Sequence, residues 1–440
     1  MAVTRRTLLQ GMLAQRQPRP NLLVITADNL GYGDLGCYGN TEIHTPNFDK
    51  FARQGVRFTN FYTASPTCTA SRAGLLTGRH PIRCKLNYQL KPDENKSGIG
   101  LPHSEKLIGQ YLKPQGYATA CFGKWNIGFA PGSRPTERGF DEFFGHRSGN
   151  IDYYTHIYNA DHDMYRGTEP AKVNGYSVDL FADHALDFLR RKRSQPFFLY
   201  LPFNSPHVPN KANLSPGQVL EWQAPDKYFA QYGYSPKESD ERKRYRAVVT
   251  ALDDAFGRVM KSVDDLELAR NTLVFFYSDN GAFMLPGRGL EVQTNRPLRD
   301  GGVTCWEGGI RVAGMGRWPG HISAGRDCGE LLSAMDVLPL ALQLSGASRP
   351  QDRILDGQDP LGVLEGKEKS RHKALYFEFR AHQAVRTGNW KLVRPDQKQP
   401  WQLFDLSKDV GETANLATSH ESTVRNLSAQ YDRWRKDVEA

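Results

Sequence analysis

Short apolar runs that turn abruptly polar recur along the first three-quarters of the chain, with helix-like segments between them. Apolar runs of about five residues are typical of strands that are buried on both faces. Four such runs are NLLVITADNLG, GYATACFGKWNIG, PFFLYLPFNSPH and NTLVFFYSDNG. The helix-like segments are Pro46–Gln54, Ser71–Leu76, Ser104–Leu112, Val178–Lys192 and Arg242–Asp264. This alternation predicts an α/β protein with a large, mainly parallel sheet sandwiched by helices.

The pattern changes near residue 370. KALYFEFRAHQAVRTGNWKLVRP and WQLFDLSKD read as short antiparallel strands joined by turns, and HESTVRNLSAQYDRWRKDVEA reads as a terminal amphipathic helix. We therefore expect a basic tail over residues 1–19, the main α/β domain over 20–368 and a small C-terminal α+β subdomain over 369–440.

Composition narrows the class of protein. The 440 residues are 39% hydrophobic and 24% charged, which is ordinary for a protein with a large core. The net charge of +9 is spread along the chain without a nucleic-acid-reading motif, so we expect no nucleic-acid partner. No apolar stretch is long enough to span a membrane. The six cysteines form no CxxC or zinc pattern, and one or two disulfides stay open.

The first residues leave two interpretations open. Thr4–Gln10 resembles a twin-arginine export signal, but Arg16 interrupts the apolar segment that should come after it. The segment is either a disordered basic tail or a shortened signal, and a signal would favour a periplasmic or secreted protein.

Polar residues follow each of the four buried runs, where ligands of open α/β sheets collect. Two runs end in the same Asp-Asn pair, and such oxygen ligands suit a hard cation such as Ca²⁺ or Mg²⁺. A single pair is more simply explained as a turn, but both pairs together with a lysine and a histidine favour a site. The residues concerned are Asp28, Asn29, Lys124, Asn126, His207, Asp279 and Asn280.

Cys68 precedes a short helical pattern in TASPTCTASRAGLLTGRHP, and Arg72 lies four positions later. The start of a helix suits an anion or a nucleophile that attacks one, and an arginine can hold an anionic oxygen. An isolated cysteine is more commonly a buried structural residue. Spacing alone leaves both interpretations open.

Six motifs in order, from about Pro20 to the C-terminus, resemble the type I, formylglycine-dependent sulfatases of the alkaline-phosphatase-like superfamily. The pattern is similar in particular to arylsulfatases and N-acetylgalactosamine-6-sulfatase-like proteins. The motifs are ADNLGYGDLGCYG, CTASRAGLLTGR, GYATACFGKWNIG, SPHVP with YSDNG, PLRDGGVTCWEGGIRV and WQLFDLSKDVGETANLA.

The resemblance implies a reaction and a role for each site residue. A maturation enzyme would oxidise Cys68 to formylglycine (3-oxoalanine), whose hydrate attacks the sulfur of a sulfate ester. Arg72 would steady the diol oxygen, while Lys124 and His207 would bind the sulfate, with His207 also able to protonate the leaving oxygen. The implied ligands of Ca²⁺, or of Mg²⁺, are Asp28, Asn29, residue 68, Asp279 and Asn280.

Four positions depart from the family pattern. Asn29 stands where a second aspartate is usual, and Ala70 replaces the signature proline. Asn126 replaces the histidine expected to act as a base, and an amide cannot take a proton near neutral pH. Gly302 replaces a lysine expected to contact the sulfate and the leaving oxygen. Candidate substitutes elsewhere in the chain are His103, His156 and Arg299.

The substrate is predicted less directly. The segment FFGHRSGNIDYYTH is expected near the pocket rim, where Asp152 and His156 would meet a sugar ring, with Arg299 as a further substrate contact. An ordinary loop packed by its tyrosines explains the segment equally well. Three functions stay open: a sulfatase acting on a carbohydrate sulfate ester, a phosphate or phosphonate ester hydrolase of the same superfamily, and a degenerate member with little activity.

Overall fold

The computed structural model describes residues 19–91, 93–94, 97–209 and 222–439. The predicted export signal at Thr4–Gln10 lies outside these ranges. Within them, no helix combines the length and the apolarity that crossing a bilayer requires. All six cysteines are among the described residues and all are unpaired, so the disulfides that the sequence left open do not form.

The strands vary from two to seven residues in length. They are β1 (Asn21–Ala27), β2 (Val56–Phe58), β3 (Phe61–Tyr62), β4 (Ala118–Lys124), β5 (Glu142–His146), β6 (Ile157–Tyr158), β7 (Asp161–His162), β8 (Tyr165–Arg166), β9 (Glu169–Pro170), β10 (Phe197–Pro202), β11 (Thr272–Ser278), β12 (Gly314–Arg317), β13 (Arg326–Cys328), β14 (Leu332–Ser333), β15 (Leu375–Phe379), β16 (His382–Thr387), β17 (Trp390–Arg394) and β18 (Gln402–Asp405).

The α-helices lie between and after these strands. They are α1 (Pro46–Gln54), α2 (Cys68–Thr77), α3 (Ile108–Leu112), α4 (Ser177–Lys192), α5 (Asp226–Ala230), α6 (Glu241–Asp265), α7 (Glu307–Ile310), α8 (Val337–Ser345), α9 (Leu361–Leu364) and α10 (Glu421–Glu439).

The main sheet has the strand order β13-β2-β12-β11-β1-β10-β4-β5-β8-β9. Its centre, from β11 to β5, is parallel throughout. Both flanks contain antiparallel pairs, which makes the whole sheet mixed. Helices α1, α4 and α6 cover one face and α2, α3 and α8 the other, so that two apolar cores sandwich the centre. The predicted α/β architecture is confirmed. The parallel part of the main sheet is its centre, from β11 to β5.

Helix boundaries follow the sequence pattern with two exceptions. Helix α1 has the predicted ends, and α4 and α6 extend the prediction by one residue at one or both ends. Helix α2 begins at Cys68, three residues earlier than expected, directly after Thr67, whose backbone is extended. Helix α3 begins later than Ser104, since Glu105 closes a turn on Pro102 and Leu107 has an extended backbone.

The C-terminal region forms a separate four-stranded antiparallel sheet in the order β15-β16-β17-β18, followed by α10. Val385, Leu392 and Leu403 on one face of this sheet pack against Leu427 and Tyr431 of α10. The predicted α+β subdomain is therefore present, while its boundary at 368/369 stays a prediction.

The register of the central strands positions the polar residues that come after them. Ala27 of β1 lies beside Ser278 of β11, so the next residues, Asp28 and Asp279, also become neighbours. The Asp279 amide donates to the Ala27 carbonyl at 2.9 Å. Two residues some 250 positions apart in the chain thus meet at one edge of the sheet.

Candidate active site

The two Asp-Asn pairs form the floor of the candidate site. The Asn29 backbone N–H donates to Asp279 Oδ1 at 3.2 Å, and Asn280 Nδ2 donates to Asn29 Oδ1 at 2.5 Å. Asn29 has a φ of 60°, in the left-handed region that asparagine tolerates better than most residues. All four residues, including Asp28, are at most 1% exposed. The sequence prediction that these strand ends meet is therefore matched by the geometry.

Cys68 lies against this floor, at the first residue of α2. Its Sγ is 3.5 Å from Asp28 Oδ1 and 3.7 Å from Asn29 Oδ1. Ligand atoms of Asp28, Cys68 and His207 all lie within 4.8 Å of one another. Burial, opposed in part by the Lys124 charge, raises the pKa of the Cys68 thiol far above its usual range. An unmodified Cys68 is therefore a protonated thiol, which is a poor nucleophile.

Two buried cations flank Cys68. Lys124 Nζ is 2.7 Å from Asp28 Oδ2, and an Arg72 terminal nitrogen is 2.6 Å from Asp279 Oδ2. The other terminal nitrogen of Arg72 donates to the Lys124 carbonyl at 2.9 Å, which fixes the two cations relative to each other. Buried charges are stable only when they are paired, so each cation requires its carboxylate in the absence of another anion.

The four floor residues fit a hard divalent cation. Asp28 and Asp279 offer carboxylate oxygens, and Asn29 offers an amide oxygen. Asn280 Oδ1 is buried and accepts no hydrogen bond from the described residues, although buried carbonyl oxygens normally have a partner. Oxygen donors of this kind are those that Ca²⁺ and Mg²⁺ prefer.

His207 is a neutral imidazole in this cluster. Its Nδ1 donates to the Val208 carbonyl at 2.6 Å, which leaves Nε2 as a proton acceptor. Burial, reinforced by the charge of Lys124, lowers the His207 pKa to about 3. Near neutral pH this residue is therefore unprotonated.

His146 is a site residue that the sequence analysis did not single out. It ends β5 and is the register partner of Lys124 on β4. It is fully buried, neither ring nitrogen has a hydrogen-bond partner in the described part of the chain, and burial together with Lys124 and Arg72 lowers its pKa well below the usual value. The apolar Phe143-Phe144 pair, which ends two residues before His146, was the available signal.

Asn126, which replaces the expected histidine, lies one strand away from His146. It is fully buried with a φ of 55°, and both polar atoms of its side chain are unpartnered among the residues that the structure describes. The backbone holds it through its N–H, which donates to the Arg147 carbonyl at 3.0 Å. The chain therefore keeps a polar side chain at position 126, but one that takes no proton.

The predicted substrate contacts are placed differently. Asp152 is fully buried and accepts from the Tyr154 and Thr155 amides and from Gln223 Nε2, at 2.6–2.9 Å. His156 is also buried, and its Nε2 lies 3.1 Å from the Gly175 carbonyl oxygen. Both side chains hold their loop together rather than face solvent, so we leave them out of the proposed site.

Two further candidates are engaged elsewhere. Arg299 is exposed, stacks 3.6 Å above the Trp306 ring and donates to the Glu412 carbonyl at 2.7 Å, at the junction with the C-terminal subdomain. Its contact with substrate stays a prediction. His103 pairs with Ser133 at 3.1 Å, and its ring lies over Gly132. Nothing in these contacts brings His103 to the cations around Cys68.

The parallel sheet, the acids at its strand ends and the cations beside a residue at a helix start define a hydrolase of anionic esters with the alkaline-phosphatase-like architecture. The chain belongs to the sulfatase family: the model described as "Sulfatase" matches residues 20–347. A second model, "N-sulphoglucosamine sulphohydrolase, C-terminal", matches residues 304–437. The resemblance inferred from the motifs is thereby confirmed, and the chain is a sulfuric ester hydrolase.

Known relatives extend over most of the chain. Human N-acetylgalactosamine-6-sulfatase is 34% identical and covers 93% of this chain, which in turn spans 78% of that protein. The crystal structure of Ps i-CgsB in complex with k-i-k-neocarrahexaose has a TM-score of 0.85 at 30% identity, and the alignment covers 94% of this chain and 92% of that one. A 6S-sulfatase structure from work on glycosaminoglycan metabolism by Bacteroides thetaiotaomicron has a TM-score of 0.78 at 26% identity, covering 96% and 100%.

Proposed function

We propose that this protein hydrolyses a sulfate ester of a carbohydrate, using a formylglycine formed from Cys68 and a divalent cation, Ca²⁺ or else Mg²⁺. The names of the relatives, which refer to N-acetylgalactosamine, neocarrahexaose and glycosaminoglycans, support a glycan substrate. One observation carries the chemistry: Cys68 Sγ lies 3.5 Å from Asp28 Oδ1 at the start of α2, with Lys124 bound to the same carboxylate.

In the absence of a divalent cation, burial raises the pKa of the Cys68 thiol and so disfavours the nucleophilic thiolate. A formylglycine supplies, as its hydrate, a hydroxyl nucleophile at this position. A divalent cation held by the four floor residues supplies charge neutralisation for the sulfate oxygens.

The chain's own residues complete the site. Arg72 and Lys124 are fixed, buried cations that bind anionic sulfate oxygens and stabilise charge in the transition state. His207 is a neutral imidazole with a ring nitrogen within 4.8 Å of the Cys68 sulfur, and it would take up a proton and return it to the leaving oxygen.

Two alternatives arise from the replaced residues. The same cations and acids suit a phosphate or phosphonate ester, and the loss of the usual histidine and lysine suits a degenerate sulfatase with little activity. Membership of the sulfatase family favours sulfate. Retention of Lys124, Arg72 and both aspartates favours turnover, since a protein released from catalysis has no need to bury these charges.

Two measurements test this proposal: the covalent state of residue 68, by mass spectrometry, and the release of sulfate from substrate. We expect the tryptic peptide Phe58–Arg72, from protein made beside a formylglycine-generating enzyme, to be lighter than the cysteine form and reactive towards hydrazides. Cys68→Ala should abolish sulfate release from sulfated oligosaccharides. Cys84→Ala, a change of the same kind at another buried cysteine, should retain both the modification and the activity.

Each other outcome points to one alternative. Full sulfate release with an intact Cys68 overturns the formylglycine proposal. If the modified protein hydrolyses aryl phosphate diesters faster than any sulfate ester, it is a phosphate ester hydrolase. If Cys68 is intact and the protein hydrolyses neither ester, it is a degenerate sulfatase.

A further inference from the structure

Phe283 occupies the space that a side chain at position 302 would need. A Cβ added to Gly302 would lie 2.1 Å from Phe283 Cδ1 and 2.3 Å from Cε1, closer than to the Gly281 carbonyl oxygen at 2.8 Å, so the ring makes the most severe of the three clashes. The two segments are held together because the Gly302 N–H donates to the Ala282 carbonyl at 2.9 Å. The backbone of Gly302 has no positive φ, so space rather than conformation requires the glycine.

The same ring lies at the edge of the site. The centroids of Phe283 and His207 are 6.0 Å apart, with the ring planes at 75° in an edge-to-face arrangement. His207 in turn lies within 4.8 Å of the ligand atoms of Asp28 and Cys68. Phe283 is only partly buried, although it packs against the apolar core on one side of the sheet. An aromatic surface therefore stands where the sulfatase pattern places a cationic lysine.

We propose that Phe283 is a specificity-determining residue, forming an aromatic wall against which the leaving group of the ester packs. This inference rests on the proposed function. The ring offers apolar area and a polarisable face, and the C–H face of a pyranose is a fitting partner. A lysine at position 302 would instead favour the binding of substrates that carry anionic groups next to the ester. The wall therefore selects a sugar with an apolar face beside the sulfate.

The shared space is testable without any activity. We expect Gly302→Ala to lower the Tm in the wild-type background and to have a much smaller effect in the Phe283→Ala background, where the ring is gone. Gly287→Ala is the matched control, because a Cβ there would have no described heavy atom within 4 Å. Equal effects of Gly302→Ala in the two backgrounds would show that the ring and position 302 do not compete.

Kinetics separate a contact with substrate from a structural role. For N-acetylgalactosamine 6-sulfate, Phe283→Ala should raise KM roughly tenfold with little change in kcat, as expected for the loss of one stacking contact. Phe283→Tyr, which keeps the ring, should restore KM. Ethyl sulfate has no ring to stack, so its kcat/KM should be the same in all three proteins.

The outcomes distinguish this inference from the proposed function. An unchanged KM for the sugar sulfate, or an equal loss for sugar and ethyl sulfates, overturns the aromatic wall. If the wild type hydrolyses no sulfate ester, the proposed function fails. The aromatic wall is then tested by calorimetry with N-acetylgalactosamine 6-sulfate. Phe283→Ala should raise the Kd by the same factor, and an unchanged Kd would overturn the wall.

Discussion

Asn29 supplies an amide oxygen where the sulfatase pattern places a second carboxylate. Its Oδ1 already accepts from Asn280 Nδ2, and its left-handed backbone suits aspartate as well as asparagine. The floor of the site therefore carries two formal negative charges, on Asp28 and Asp279, and both are paired with buried cations. A divalent cation must compete with Lys124 and Arg72 for them.

Asn29→Asp should bind Ca²⁺ more tightly, because cation affinity rises with the number of charged ligands. We expect the Kd from titration calorimetry to fall roughly tenfold. Asn60→Asp, an asparagine that bonds the Gly329 carbonyl outside the site, should leave the Kd unchanged. A Kd in Asn29→Asp equal to that of the wild type would remove Asn29 from the cation site.

At the residue scale, the sequence predicted the contacts that strand ends impose and failed where a side chain's role depends on distant contacts. Asp28, Lys124 and Asp279 each end or directly succeed an apolar run, so one rule about parallel sheets brought them together. Phe283 is significant only because its ring covers Gly302, and no local pattern reports that contact. Asp152 looked available in sequence, but its three hydrogen-bond donors lie in its own loop and in Gln223.

At the element scale, α1 shows how a helix end depends on a distant part of the chain. Its first amides are capped by Asp253 of α6: Asn47 N donates to Oδ2 at 3.1 Å and Phe48 N to Oδ1 at 2.8 Å. Burial raises the Asp253 pKa from 3.8 to about 7. The sequence pattern nevertheless located α1 correctly, since its amphipathic spacing and Pro46 at the start are local features.

The Asp253 cap should make stability depend on pH. A carboxyl whose pKa is raised in the folded state binds its proton more tightly than in the unfolded chain, so stability is lost as pH rises from about 4 to about 7. The free energy of unfolding should fall by up to about 1.4 kcal/mol per pH unit over this range. Urea titrations of Asp253→Asn should lack this slope, whereas Asp254→Asn, at the exposed neighbour, should keep it. Parallel pH profiles for the wild type and Asp253→Asn would contradict the prediction.

The edge strands mark the limit of prediction at this scale. Four of the five central strands lie in long apolar runs, with β5 as the exception, but β2, β8, β9, β12 and β13 are only two to four residues long. Such strands exist because a longer neighbour pairs with them, and the sequence alone does not name that neighbour. The antiparallel flanks of the sheet were missed for this reason.

At the scale of the whole molecule, a buried charge cluster joins the C-terminal subdomain to the main sheet. Lys391 of β17 is fully buried and lies 2.7 Å from Glu307 of α7 and 3.4 Å from Glu412. One ammonium group thus serves two carboxylates from either side of the junction. Burial, opposed by the Lys391 charge and reinforced by the Glu307 charge, raises the Glu412 pKa above its usual range.

Lys391→Met should destabilise the protein, because it leaves Glu412 buried without a paired cation and Glu307 with only Arg311, 3.5 Å away. We expect the free energy of unfolding, from urea denaturation, to fall by about 3–5 kcal/mol. Lys408→Met removes a lysine whose side chain is 84% exposed and should change little. Adding Glu307→Gln to Lys391→Met should recover part of the loss, and no recovery would show that the lysine acts through packing alone.

The burial of Cys68 would limit the time available for the modification proposed above. The thiol is 3% exposed and is enclosed by the ends of β1 and β11, and β11 begins at Thr272. During synthesis at about 5–20 residues per second, the roughly 200 residues between Cys68 and β11 take about 10–40 s to appear. If Cys68 is modified as proposed, a maturation enzyme would have free access to the thiol only while β11 is unpaired, and the yield of modified protein would depend on whether the enzyme acts before the sheet closes.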